Sequence, residues 1–173
     1  MDTTKDYSEG VLVYFLRGNK IALGRKTRKI VAGKRVGFGG GAKAREKFRK
    51  CAVREVLEEA GVIIDPRRLR LIAVVDFLNH RDDGTVSTGR IAIYVIRSWR
   101  GKLKPNPCHG IDDLRWYPQA TLPVGEMPDG DPFWLPIALS GRKIYARVPY
   151  LPGQKGLAGP VVIEDLPANM LDL

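Results

Sequence analysis

The stretch "GGGAKAREKFRKCAVREVLEEAGV", residues 39–62, sets three glycines ahead of a basic segment that ends in three glutamates. Successive residues of an α-helix turn by about 100°, so Glu55, Glu58 and Glu59, spaced i, i+3 and i+4, share one arc. Val53, Val56, Leu57 and Ala60 recur at the same period and predict a core face on the other side. The spacing therefore predicts a helix over about 45–60, stopped by Gly61, with one apolar and one carboxylate face. Cys51 and Ala52 flank the arc one turn earlier, and their small side chains leave room above it. Like charges at this spacing repel, and Arg54, four residues before Glu58, answers part of that repulsion. On these residues alone two readings stay open: a solvated acidic stripe, or the hard oxygen donors that Mg²⁺ or Mn²⁺ prefers.

The glycines bear on that choice. Gly37, Gly39, Gly40 and Gly41 lie in "GFGGG" directly before the helix. Glycine lets backbone approach a ligand closely, and such a loop can offer amides to phosphate or a carbonyl to a metal; it can also be a plain tight turn.

Outward from this centre, "GVLVYFLRGNKIALGRK" reads as two apolar runs joined by a short turn, a hairpin. "LRLIAVVDFL" and "RIAIYVIRSW" are β-branched runs on either side of the turn-rich "NHRDDGTVSTG". These are expected to be strands of one mixed sheet. A second helix is expected from Pro132 to Leu139, with Asp131 as its cap and Gly141 as its stop, Pro136 sitting early or kinking it. The tail after Tyr150, about residues 151–173, is rich in Gly and Pro; its "PVVIEDL" could add to a sheet edge.

With 173 residues and 44% hydrophobic composition, the chain fits a single domain, 1–173, around one core. No apolar run approaches membrane-spanning length, and "MDTTKDYSEG" lacks the pattern of a secretory signal, so a soluble, cytoplasmic protein without a membrane partner is expected. Cys51 and Cys108 form no CxxC pair and read as reduced structural thiols. The formal net charge of +10 favours polyanionic partners such as nucleotides or RNA.

Gly40, five residues, Glu46, seven residues, then "REVLEEAGV" matches every specified position of the Nudix box, residues 40–62, G-x5-E-x7-R-E-U-x-E-E-x-G-U with U aliphatic. The chain thus resembles the Nudix hydrolase family. The resemblance implies an α+β fold, an α/β/α sandwich around a mixed β-sheet, and hydrolysis of a nucleoside diphosphate linked to another group. It implies that Glu55, Glu58 and Glu59 bind Mg²⁺ or Mn²⁺ with the Gly40 carbonyl, that Arg54 orients the carboxylates, and that Glu46 is auxiliary. Glu55 is the first choice for general base, with Asp112 and Asp113 as loop alternatives. Over residues 10–150 the flanks, among them "VVDFLN", "LRWYPQATLP" and "MPDGDPFWLPIAL", resemble the MutT-type branch that hydrolyses oxidised purine nucleoside triphosphates such as 8-oxo-dGTP.

Carried over position by position, that branch places Lys26 near the phosphates or the mouth of the base pocket, Gly39 among the substrate-binding residues, Phe77 along the purine pocket, and Asp129 or Asp131 on the base. Trp134 is expected to pack its own helix. Val36 stands where the animal enzymes have a base-reading Asn, Ile30 replaces a pocket aromatic, and Met127 replaces a Trp but could still pack a purine face. The function expected is metal-dependent release of pyrophosphate from a nucleoside triphosphate, as in nucleotide pool sanitation. Removal of pyrophosphate or a cap from RNA 5′ ends is the alternative, and a non-catalytic nucleotide-binding module the third reading.

Overall fold

The computed structural model describes residues 7–173. Among them, eight strands and two helices run β1 (Tyr7–Arg17), β2 (Lys20–Lys26), β3 (Arg35–Val36), α1 (Phe48–Ala60), β4 (Arg70–His80), β5 (Val86–Ile96), β6 (Ile111–Pro118), α2 (Asp131–Leu139), β7 (Ile144–Tyr150) and β8 (Val162–Asp165). All strands join one sheet in the order β3-β2-β1-β5-β4-β7-β8, with β6 on the other side of β2. Two pairs, β1 with β5 and β4 with β7, are parallel and the rest antiparallel, so the sheet is mixed as expected.

The sheet is covered on both faces, which is why its central strands read as continuous apolar runs rather than alternating ones. Side chains alternate between faces along each strand. Val11, Val13 and Phe15 of β1 point to one side and pack with Cys51, Ala52, Val56 and Ala60 of α1. Tyr14 and Leu16 point to the other and pack with Trp134, Leu135 and Ala138 of α2. The result is the α/β/α sandwich, with two hydrophobic layers rather than one core. Trp134 is fully buried, as its packing role required.

Several elements differ from the sequence reading. Helix α1 starts at Phe48, not near 45, because Arg45 adopts a left-handed φ of 62° that no helix continues through. Leu57 is 50% exposed, whereas Glu59 is buried at 3%; the buried arc is rotated toward the carboxylates, so the predicted division into two faces fails at these two residues. In α2 the cap is Gly130, and Asp131 is the first helical residue, its carboxylate turned to Trp134 rather than to the backbone. Only residues 81–85 separate β4 from β5; most of "NHRDDGTVSTG" pairs as strand. Strands β6 and β7 were not anticipated, whereas "PVVIEDL" does form the edge strand β8. No helix among the described residues is long and apolar enough to cross a membrane.

Candidate active site

Beyond Phe15, toward its N-terminal end, β1 leaves β2 and pairs instead with the glycine segment. Val13 N–H donates to Phe38 O at 2.7 Å, Phe38 N–H returns to Val13 O at 2.9 Å, and Val11 N–H donates to Gly40 O at 3.0 Å. This insertion needs residues without side chains. A Cβ on Gly39 would lie 2.0 Å from Val11 O, one on Gly10 2.6 Å from Gly40 O, and one on Gly40 2.7 Å from Glu55 Oε2. The glycines are thus a close-packing device that brings backbone against the helix carboxylates. Gly40→Ala should leave the melting temperature nearly unchanged, since only the flexible end of Glu55 must move. It should lower kcat on the order of 100-fold by misplacing that carboxylate. Thermal melts and steady-state kinetics on one preparation test both halves.

Arg54 clasps this corner. It donates to both oxygens of Glu46 at 2.9 and 2.7 Å, to Glu55 Oε1 at 2.5 Å and to Gly41 O at 3.1 Å. Its guanidinium holds the Glu46 carboxyl down at about 2, and Glu46 also accepts from Lys43 N–H, so the loop before α1 is tied to the helix that follows. The pairing expected between Arg54 and Glu58 is the longest of these contacts, 3.6 Å. Glu59 lies deeper. Its Oε2 accepts from Gly39 N–H at 2.8 Å and its Oε1 from Lys26 Nζ at 2.5 Å. Burial raises its pKa, opposed by Lys26 and the Gly39 amide. Lys26 Nζ also reaches Gly39 O, so an ammonium already lies against this oxygen cluster.

The loop after β5 satisfies the last carbonyls of α1: Lys104 N–H donates to Ala60 O, Asn106 N–H to Glu59 O and Asn106 Nδ2 to Glu58 O. That docking carries His109 and Gly110 to the mouth of a cavity of about 520 Å³. Glu55, Glu59, Gly39, Gly40 and Lys26 line its polar end. Ile91 lies beside the Gly40 carbonyl, and Val36, Leu12, Phe77 and Tyr150 line the apolar part of the cavity, where the Phe77 and Tyr150 rings lie 6.1 Å apart. Asp131 is at that end too, 2% exposed; its Oδ1 accepts from Trp134 Nε1 at 3.2 Å, and its Oδ2 has no partner among the described residues. Burial pushes its carboxyl up to about 7.

A model of the NUDIX domain matches residues 6–135. The chain belongs to the Nudix hydrolase family. Among curated proteins it is similar to the oxidized purine nucleoside triphosphate hydrolase of Danio rerio, 28% identical over 134 residues, covering 76% of this chain and 80% of that one. The Mus musculus protein of the same name is 26% identical over 145 residues, covering 83% and 85%. Among solved structures, the MutT protein of Bacillus halodurans superposes with a TM-score of 0.75 at 20% identity, covering 92% of this chain and 99% of that one. A MutT Nudix hydrolase of Burkholderia pseudomallei gives 0.59 at 24% identity, covering 68% and 87%.

Within this Nudix chain the residues expected at the site divide. Lys26, Gly39, Gly40, Glu55, Glu59, Phe77 and Asp131 face the one cavity. Glu58 is at the rim, 3.6 Å from Arg54 and 3.9 Å from His109. Met127 is buried in the α2-side core and Asp129 is exposed, both off the cavity wall. Asp112 and Asp113 are not on a loop but on β6, paired with Arg25 at 2.8 Å and with Arg35 at 2.6 Å. Ile30 is 59% exposed, while its neighbour Val31 lines the cavity. Sequence reasoning missed Arg28, Lys29, His109, Tyr150 and Gln154, all of which line it. Of these, only the basic run around Arg28 left a signal.

Proposed function

We propose that this Nudix protein is a divalent-metal-dependent pyrophosphohydrolase of purine nucleoside triphosphates, oxidised purines included, that releases nucleoside monophosphate and pyrophosphate. One observation carries the reading: a single cavity is lined by the Glu55/Glu59/Gly40 oxygen cluster and by the Phe77 and Tyr150 rings with the buried Asp131. A purine with its phosphates has the matching polarity, flat and apolar at one end and anionic at the other. The names of the vertebrate relatives support the same substrate class.

The donor types suit a hard cation, with carboxylate oxygens from Glu55 and Glu59, Glu58 nearby, and the Gly40 carbonyl, which accepts from Val11 N–H and weakly from Cys51 Sγ; among the described residues no three of these side chains converge on one point, and the Lys26 ammonium lies against Glu59. Mg²⁺ or Mn²⁺ bound there would neutralise phosphate oxygens and acidify a water. The chain does the rest. Lys26, Arg28 and Lys29 draw the polyphosphate into the polar end. Arg54, anchored by Glu46, sets the direction of Glu55. Glu55 takes the proton of the attacking water as the pyrophosphate leaves with the electrons of the broken P–O bond. Asp131, rather than the exposed Asp129, contacts the base.

The test is a panel of normal and oxidised purine triphosphates, dinucleoside polyphosphates, ADP-ribose and 5′-triphosphorylated RNA with Mg²⁺, scored for phosphate and pyrophosphate. Pyrophosphate and monophosphate from the purine triphosphates are the expected products. Turnover restricted to RNA ends or diphosphate conjugates overturns the substrate assignment.

A further inference from the structure

The family match ends at residue 135, yet the cavity has two lining residues beyond it, Tyr150 and Gln154. Gln154 is the less expected of them. It lies in the loop that follows β7, where Leu151, Pro152, Gly153 and Gln154 make a turn closed by Gln154 N–H to Leu151 O at 2.8 Å. Proline in the second place and Gly153 at φ 65°, ψ 15° in the third give the type II geometry. The loop is closed again by Leu151 N–H to Gly156 O and Ala158 N–H to Pro149 O, both 2.9 Å, so the turn has a fixed seat on the sheet.

Gln154 itself has a left-handed φ of 54°, which a residue with a side chain adopts only at a cost. That backbone turns its amide back onto β4. Nε2 donates to Asn79 Oδ1 at 2.9 Å, and Asn79 Nδ2 donates in turn to Phe77 O at 3.3 Å. The second bond fixes which end of Asn79 faces Gln154, and therefore which end of the Gln154 amide is used. Gln154 Oε1 is left without a partner among the described residues, on a half-buried side chain that lines the cavity. Asn79 pairs with Tyr150 across the β4–β7 ladder, two residues beyond Phe77, so the Gln154 amide bonded to it lies next to the Phe77 and Tyr150 side of the cavity.

We propose that Gln154 determines base specificity: its Oε1 accepts a hydrogen bond from the exocyclic amino group of a purine lying against Phe77 and Tyr150. The 151–156 loop is then the specificity wall of the site. Strain, a directed amide and an unused acceptor at the apolar end of the cavity have one common explanation in a ligand donor. The inference rests on the reading of the cavity as a purine nucleotide site.

The experiment compares kcat/KM for two matched pairs, GTP with ITP and ATP with purine riboside triphosphate, in the wild type, Gln154→Ala and Gln154→Gly. Each pair differs by one amino group. The wild type should prefer the amino-bearing member of at least one pair about tenfold, and both variants should fall to within about twofold. Gln154→Gly should also melt higher, because glycine accepts the left-handed backbone; a merely structural role predicts that change alone. Equal discrimination in wild type and variants, or a wild type that turns over all four alike, overturns the proposal. A wild type that hydrolyses none of the four overturns the purine triphosphate reading, and this inference with it.

Discussion

Glu59→Gln should lower kcat/KM about 1,000-fold while leaving a folded protein. Glu59 is the most buried carboxylate of the cluster, and both its oxygens accept from fixed donors, the Gly39 amide and the Lys26 ammonium. Glutamine keeps the shape but has only one acceptor oxygen. Either orientation of its amide sets an NH₂ group against Gly39 N–H or against Lys26, two donors facing each other. Lys26 and the glycine loop therefore lose their common anchor, and the cluster loses an anionic oxygen that the proposed divalent cation would use. Steady-state kinetics at saturating Mg²⁺ with a thermal melt as control is the measurement. A rate within tenfold of wild type would remove Glu59 from the chemistry. Retained nucleotide affinity in the inactive variant would separate the enzyme from a binding module, which has no use for that charge.

The carboxylate end was legible because its residues are local in sequence. Helical spacing puts Glu55, Glu58 and Glu59 on successive turns, and the glycines precede them by a fixed number of residues, so one stretch holds most of the cluster. Even there, periodicity misjudged depth. Periodicity points Leu57 inward and Glu59 outward, because hydropathy counts a carboxylate as solvent-facing and cannot see that Lys26 and the Gly39 amide hold it under the loop. Glu46 reads as auxiliary in the sequence, and its bond to Arg54 spans the loop-to-helix junction in a way that spacing alone does not reveal.

The apolar end was poorly legible for the opposite reason. Its wall is assembled from β1, β3, β4, α2, β7 and the turn after β7, in Leu12, Val36, Phe77, Asp131, Tyr150 and Gln154. Strand β7 escaped because "IYARVPY" carries Arg147 and Pro149 among its apolar residues, yet the parallel pairing with β4 buries every second side chain. Once β7 is missed, Tyr150 and Gln154 read as ordinary tail residues. Asp112 and Asp113 read as a loop because the strand carrying them alternates weakly; each sits opposite or near an arginine of another strand, which is an ion-pair signal rather than a hydropathy one.

Asp131→Asn should remove a pH dependence of stability that the wild type shows between about pH 4 and pH 7. Asp131 is buried and its carboxyl is pushed up to about 7, so between the unfolded value near 4 and that point the folded chain binds the extra proton. Stability must then fall as pH rises through this window and level off above it, by at most about 4 kcal/mol. Other buried or paired carboxylates titrate as well: Glu59 with the same sign, Glu46 and Asp76 with the opposite one. They are common to both proteins and cancel in the difference between variant and wild type. The asparagine variant should therefore gain several degrees over wild type between pH 4 and pH 8. Catalysis adds a second signature. A protonated Asp131 can donate to a base and an ionised one can only accept, whereas asparagine does both at every pH. The inflection near pH 7 in kcat/KM for a purine triphosphate should vanish in the variant. A difference in melting temperature that stays constant across the range would place the carboxylate in water rather than at the closed end of the cavity, and would remove Asp131 from base recognition.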